Sequence, residues 1–183
     1  MRKFTELFAI LLLVTGLIAS DEIPQKVIDL AKTKLMALGE DPVIVKAVKA
    51  ENEKGKSLDE IKAKDKKWID TPGIDDFMKS LMNNECGIYL RKLQVEYNFI
   101  AEIFVMDNQG ANVAMSDKTS DYWQGDEDKF TESFNDGKGG LHISEVKFDQ
   151  SSQSYLIQIS VPVKDDEKVI GAITFGIDID MVE

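Results

Sequence analysis

Residues 154–178 have the sequence SYLIQISVPVKDDEKVIGAITFGID, in which two runs of β-forming residues flank the polar segment KDDE. The pattern predicts two antiparallel strands, over residues 154–163 and 168–178. In the first strand, Ile157 and Ile159 alternate with Gln158 and Ser160, and alternate side chains of a strand point to opposite faces. The predicted sheet therefore has one large apolar face and one face of smaller, more polar residues.

The side chains of the second strand point to the same two faces. On the apolar face we expect Val169, Ile173, Phe175 and Ile177. On the opposite face we expect Ile170, Ala172, Thr174, Gly176 and Asp178. The small side chains of this second group leave room above the sheet.

Three further strands complete the predicted sheet. They cover residues 99–106, 111–115 and 141–148. The turn at 107–110 makes the first two a hairpin, and the polar turn at 149–152 precedes the strand at 154–163. Because short polar segments join these strands, the five-stranded sheet is predicted to be antiparallel.

The first half of the chain is predicted to be helical. Apolar spacing indicates helices over residues 23–38, 42–50, 58–68 and 76–96. Ser57 and Glu60 have the spacing of a capping box at the start of the third helix. The fourth is the longest, and its apolar stripe, which includes Cys86, is expected to pack on the apolar face of the sheet. The predicted fold is thus α+β, with N-terminal helices covering a five-stranded antiparallel sheet.

Residues 1–20 resemble a secretory signal peptide. Arg2 and Lys3 precede an apolar run at 7–19, and small residues follow it. An uncleaved membrane anchor is the alternative, although a spanning helix needs roughly 20 apolar residues. We expect cleavage, which leaves residues 21–183 as a single periplasmic or secreted domain that does not span the membrane.

Composition excludes several classes of function. The net charge of −11 disfavours nucleic acid as a partner. One cysteine excludes an internal disulfide, and one histidine, His142, excludes zinc motifs that need two. The chain lacks a nucleophile elbow, so a hydrolase built on His142 is the weakest alternative. We therefore expect no catalytic residues and no cofactor.

The segment at 116–140 is the longest connection between predicted strands. A connection of this size is usually functional or disordered, and its aromatic residues, Tyr122, Trp123, Phe130 and Phe134, argue against disorder. A loop that brings aromatic side chains over a face of small polar residues forms a pocket for a small ligand. One short helix is expected within it, over residues 126–134.

Several segments together resemble a family of extracellular sensor domains with a PAS-like fold, the PDC or Cache domains. They are IFVMD at 103–107 with GANVA at 110–114, TSDYWQGDE at 119–127, and PV at 162–163 with KVIGAI at 168–173. The resemblance covers roughly residues 76–180, preceded by helices at 22–70.

The resemblance implies a non-catalytic input module that binds a small molecule between the sheet and the loop. In that family the domain lies outside the membrane and is joined to a kinase, cyclase or chemoreceptor module. This sequence stops at Glu183, so we expect a stand-alone exported protein that passes its state to such a membrane-bound partner. The alternative from another class is a protein–protein interaction module that regulates a membrane-bound sensor.

The candidate ligand-binding residues lie on the loop and on the polar face of the sheet. They are Asp121, Tyr122, Trp123, Gln124, His142, Gln158, Ser160, Thr174 and Asp178. Arginine, which favours bidentate capture of carboxylates, is limited to Arg91 outside the signal segment. Acidic groups beside aromatic rings suit a cation. We therefore expect an amine-bearing or zwitterionic ligand, with a short carboxylate as the alternative.

The acidic residues at 117–128 raise the alternative of a calcium site. Their spacing departs from that of an EF-hand loop, and we expect no metal.

Overall fold

The structure of the protein is a computed structural model, and it describes residues 23–149 and 154–182. The predicted signal peptide at 1–20 and most of the predicted turn at 149–152 lie outside the described residues. Within the described ranges, no helix combines the length and the apolar character that crossing a membrane requires.

The order of elements confirms the α+β class. The helices are α1 (Gln25–Leu30), α2 (Met36–Leu38), α3 (Pro42–Asn52), α4 (Leu58–Asp70), α5 (Asp76–Asn83), α6 (Glu85–Glu96) and α7 (Asp128–Phe134). A π-helical turn, Ala31–Leu35, makes α1 and α2 one continuous helix. The strands are β1 (Ile100–Met106), β2 (Asn112–Met115), β3 (His142–Ile143), β4 (Lys147–Asp149), β5 (Ser154–Asp165) and β6 (Lys168–Asp178).

The predicted starts of two helices are confirmed by their caps. Ser57 Oγ accepts a hydrogen bond from the Glu60 amide, and the Glu60 carboxylate accepts one from the Ser57 amide, so the capping box of α4 is complete. Asp41 Oδ1 accepts from the Val43 amide at 2.8 Å, and Pro42 occupies the first position of α3. Both caps satisfy amides that a helix leaves unpaired.

The strands form one antiparallel sheet in the order β2-β1-β6-β5-β3, with β4 also paired to β5. The predicted strand at 141–148 is interrupted, because Ser144 Oγ accepts a hydrogen bond from the Gln158 amide at 2.9 Å. This side chain replaces the backbone carbonyl that would continue the ladder. The single predicted strand is therefore two short ones, β3 and β4.

The apolar face of the sheet packs against α1, α3 and α6. The helices contribute Val27, Leu35, Ile44, Val48, Leu90 and Leu93 to this first core. The sheet contributes Ile103, Val105, Ile157, Ile159, Ile173, Phe175 and Ile177. Cys86 is also buried here, as expected, and burial, with the nearby acids Asp41 and Glu85, raises the pKa of its thiol to about 12. The thiol is therefore neutral and packs as an apolar group.

A β-bulge corrects the predicted faces at the start of β6. Val163 pairs with Gly171 and Lys164 pairs with Val169, so Ile170 has no direct partner on β5. The extra residue turns the Ile170 side chain into the first core, which Val169 does not join. The predicted faces of these two residues are therefore wrong, whereas those of the residues from 172 to 177 follow the strict alternation.

A second core covers half of the opposite face. It contains Ile61, Trp68, Met78, Leu81, Phe104, Met106, Met115, Tyr122 and Phe130. Within the described residues, α4, α5 and the loop after β2 therefore cover this half of the small polar face.

The predicted helix over 76–96 is broken at Asn84. Asn84 has an extended backbone, and its Oδ1 accepts a hydrogen bond from the Gly87 amide at 2.7 Å, as a new N-cap does. The break sends α5 to the second core and α6 to the first. The single five-turn helix on the apolar face was therefore a wrong prediction for residues 76–83.

Candidate ligand-binding site

An open groove lies between α7 and the strands β3 and β5. Its volume is about 670 Å³. Its carboxylates are Asp126, Glu127, Asp128, Glu132 and Glu145. Its other polar side chains are Lys129, His142, Ser144, Lys147 and Gln158. We refer to this surface as the acidic groove.

Lys129 lies at the inner edge of the acidic groove. Its Nζ is 3.0 Å from Glu127 Oε2, donates to Gln124 Oε1 at 3.2 Å and lies 5.6 Å from the centroid of the Phe104 ring. The side chain is 13% exposed. Lys129 is therefore already paired within the protein. The more exposed carboxylates of the groove remain accessible to a ligand.

His142 joins α7 to the sheet. Its Nδ1–H donates to Glu132 Oε2 at 2.7 Å. Because His142 is on β3 and Glu132 is on α7, this contact links the floor and the roof of the groove.

Gln158 forms the polar floor. Its Nε2 donates to Glu102 Oε1 at 3.0 Å. Glu102 faces Gly176 on the adjacent strand, and a side chain at Gly176 would collide with it. The glycine therefore makes room for a carboxylate–amide pair on this face.

Ser160 and Thr174 lie deeper on the same face of the sheet. Both are fully buried, and their hydroxyl oxygens are 2.8 Å apart, within hydrogen-bond distance. Each satisfies the other in the interior. Neither residue lines the acidic groove.

Tyr122 is part of the second core. It is 1% exposed, and its ring centroid lies 5.8 Å from that of Trp68 and 5.3 Å from that of Phe77. Its hydroxyl accepts a hydrogen bond from Lys56 Nζ at 3.0 Å. The structure therefore places Tyr122 away from the groove, as a packing residue.

Trp123 is held by the loop itself and by α4. Its Nε1 donates to the Gln109 carbonyl at 2.8 Å, and Lys62 Nζ lies 4.5 Å from the ring centroid. The amides of Tyr122 and Trp123 both donate to Asp65 Oδ1, at 2.8 and 2.9 Å. These bonds fix the aromatic part of the loop on α4.

Asp121 and Gln124 are mutually paired, and Asp178 is remote. Gln124 is 1% exposed, and its Nε2 donates to the carboxylate and to the carbonyl of Asp121. Gln124 reaches the groove only through Lys129. Asp178 ends β6, where its Oδ1 accepts from the Asp180 amide at 3.1 Å. Of the nine predicted residues, the groove brings together His142 and Gln158.

The predicted ligand-binding residues did not include the acidic residues of α7, Asp128 and Glu132. Phe130 and Phe134 lie four residues apart, stack with ring centroids 5.1 Å apart and pack with the second core. Asp128 and Glu132 have the same four-residue spacing, so a helix places them together on another face. This spacing was the available signal for an acidic wall over the sheet.

No metal site is evident in the described ranges. Within residues 23–149 and 154–182, no group of three or more His, Cys, Asp or Glu side chains has an arrangement that would hold a metal ion.

Comparison with known proteins gives one family match. The family described as "Methyl-accepting chemotaxis protein-like, first PDC sensor domain" matches residues 75–183. No curated protein matches the chain.

Two solved structures illustrate the structural likeness. The sensor domain of the Vibrio cholerae histidine kinase DctB is 15% identical, with a TM-score of 0.47, over 85% of this chain and 51% of that one. The ligand-binding domain of the Campylobacter jejuni chemoreceptor Tlp3, solved with L-valine, is 18% identical, with a TM-score of 0.40, over 86% of this chain and 63% of that one. The chain thus spans about half to two thirds of the structures that it resembles.

Proposed function

The chain belongs to the family of methyl-accepting chemotaxis protein-like first PDC sensor domains, and on that premise we propose that it is an exported sensor domain that binds a small amine-bearing or zwitterionic metabolite in the acidic groove. Binding, without chemical conversion, is its role. The periplasm or the extracellular space is its place of action. A membrane-bound kinase, cyclase or chemoreceptor receives its output.

The charge of the groove is the observation that supports this ligand class. Five carboxylates line it, against two lysines and one histidine. A concave surface with one predominant sign of charge raises the local concentration of ligands of the opposite sign. The volume of about 670 Å³ lies in the range of small-molecule sites.

Glu132 and Gln158 are the proposed ligand contacts. Glu132 is 58% exposed and is held at one oxygen by His142, so its carboxylate has capacity for an ammonium group. The Gln158 amide, fixed by Glu102, offers its oxygen as a hydrogen-bond acceptor. The Asp121–Gln124 pair supports the groove through Lys129, whereas Tyr122 and Trp123 hold the loop on α4.

A thermal-shift screen with amino acids, amines and short carboxylates tests the proposal. A ligand at a hundred times its Kd stabilises the folded protein by about 2.7 kcal/mol. We expect stabilisation by amines and amino acids. No stabilisation by any amine or amino acid in the panel would contradict the proposal.

A double variant tests the site. Asp128→Asn/Glu132→Gln removes two groove carboxylates and should lower the affinity for a stabilising amine about tenfold. The control, Asp136→Asn/Glu167→Gln, removes two exposed carboxylates outside the groove and makes the same change in net charge. Equal loss of affinity in the two variants would mean that net charge, and not the groove, attracts the amine.

A further inference from the structure

A second cleft lies among α3, α4, α5 and α6, beside β2, and shares no lining residue with the acidic groove. Its volume is about 620 Å³. Apolar side chains, among them Phe77, Leu81 and Val113, form its floor. Leu81 and Val113 are buried and belong to different cores, so the floor lies where the two cores meet.

The rim of this cleft is basic. Lys46, Lys54, Lys56 and Lys64 line it, against Glu51 and Glu85. The whole chain has a net charge of −11, so a local excess of lysines is a departure from the rest of the molecule. We refer to this surface as the basic cleft.

Three of the four lysines are paired with carboxylates. Lys46 Nζ is 2.7 Å from Glu85 Oε2. Lys54 and Lys56 lie 2.5 and 2.9 Å from the two oxygens of Glu51. Lys56 is also 2.9 Å from Asp107 Oδ2, so Glu51 and Asp107 together balance the charges of Lys54 and Lys56.

Lys64 is the available cation. Within the described ranges it makes no ion pair. Its Nζ lies 4.3 Å from the centroid of the Phe77 ring, a cation–π geometry. An ammonium group held over an apolar floor is suited to an anion that has an apolar part.

Lys56 fixes the inner end of the rim. Its side chain is 15% exposed and contacts Asp107 at 2.9 Å and the Tyr122 hydroxyl at 3.0 Å. Burial opposes its charge, but Asp107, Tyr122 and Glu51 together raise the pKa of Lys56 above its ordinary value. Lys56 therefore stays protonated at neutral pH, with Glu51 and Asp107 as its counter-ions.

We propose that the basic cleft is a second ligand site, for an amphipathic monocarboxylate with an acyl or aryl tail. The tail lies on the apolar floor, where burial is favourable. The carboxylate accepts hydrogen bonds from Lys64 and Lys54 at the rim. A highly charged anion such as a phosphate ester fits less well, because the floor is apolar and the rim includes two glutamates.

Isothermal titration calorimetry of the Asp128→Asn/Glu132→Gln variant, whose acidic groove is weakened for amines, with sodium octanoate, 1-octanol and octylamine tests the charge preference of the basic cleft. All three are unbranched eight-carbon compounds, so differences in affinity report mainly the head group. We expect saturable binding in which octanoate is tightest and octylamine is weakest at this site. Octylamine that binds the cleft as tightly as octanoate, or octanoate binding that never saturates, would overturn the proposal.

Two variants locate the site. Lys64→Glu should weaken octanoate binding about tenfold. Its control is Lys66→Glu, on the same helix but lining no part of the cleft, which changes the net charge equally and should weaken binding less than about twofold. Ser80→Trp, which fills the cleft from α5, should abolish binding while the acidic groove remains intact. Equal weakening by Lys64→Glu and Lys66→Glu, or full octanoate affinity in Ser80→Trp, would overturn the proposal.

Discussion

The acidic groove and the basic cleft have similar volumes, about 670 and 620 Å³, but opposite charge. They also differ in how deeply their charged side chains are buried. In the groove, Glu132 is 58% exposed, and most of the other carboxylates also face solvent. In the cleft, Lys56 is 15% exposed and pairs with Asp107, which is 1% exposed.

This difference distinguishes charged groups that stabilise the fold from charged groups that are available to bind a ligand. An exposed carboxylate costs little to change because water solvates it and screens its pairs. A buried ion pair is different, because removal of one partner leaves the other desolvated and unpaired. Charged residues of the acidic groove can therefore be substituted at little cost in stability, whereas some charged residues of the basic cleft stabilise the fold.

The largest expected effect is on the buried pair. Lys56→Met leaves Asp107 buried without its cation and should lower the free energy of unfolding by about 3–5 kcal/mol. Lys129→Met in the acidic groove should cost about 1 kcal/mol, because Glu127 is partly exposed. Urea denaturation measures both. Equal losses would remove the distinction between the two surfaces.

A smaller effect is expected at Tyr122. Tyr122→Phe keeps the ring packing with Trp68 and Phe77 but removes the hydroxyl that accepts from Lys56. The free energy of unfolding should fall by about 1 kcal/mol. Amine affinity should stay within about twofold of the wild type. A large loss of amine affinity with unchanged stability would make Tyr122 a ligand contact after all.

Acid pH should remove the contribution of Glu51 to the free energy of unfolding. Burial alone would raise the pKa of this carboxyl, but hydrogen bonds from Lys54 and Lys56 outweigh burial and lower the pKa below 4.5. Because the folded-state pKa is lowered, the stabilisation is present above pH 4.5 and is lost as the pH falls through the lowered value.

The difference in unfolding free energy between wild type and Glu51→Gln should therefore shrink under acid. Chemical denaturation at a series of pH values measures it. A difference that stays constant from neutral to strongly acidic pH would show that the ionised Glu51 does not stabilise the cleft.

Much of the fold could be predicted, because local patterns determine it. The alternation of Ile157, Ile159 and Phe175 identifies the apolar face, and the spacing of Ser57 and Glu60 identifies a helix start. The break at Asn84 was missed because the apolar spacing continues across it at three- and four-residue intervals. Nothing in that spacing shows that α5 and α6 pack in different cores.

The site was harder to predict, because it depends on long-range packing. Tyr122 and Trp123 are residue types that often line ligand-binding sites. In the structure, Asp65, more than fifty residues earlier, accepts hydrogen bonds from both of their amides. Gln158 was found because the strand pattern places it on the small polar face, whereas His142 was included as one of the available hydrogen-bonding groups. Glu132 was missed because its role depends on where α7 lies over the sheet.

The most direct test of the proposed function is an NMR titration of the ¹⁵N-labelled protein with butylamine. We predict saturable amide shifts centred on Glu132, His142 and Gln158, with no comparable shifts at Glu51 or Ser80 in the basic cleft. Shifts centred on the basic cleft, or spread evenly over acidic residues throughout the surface, would contradict an amine site in the acidic groove.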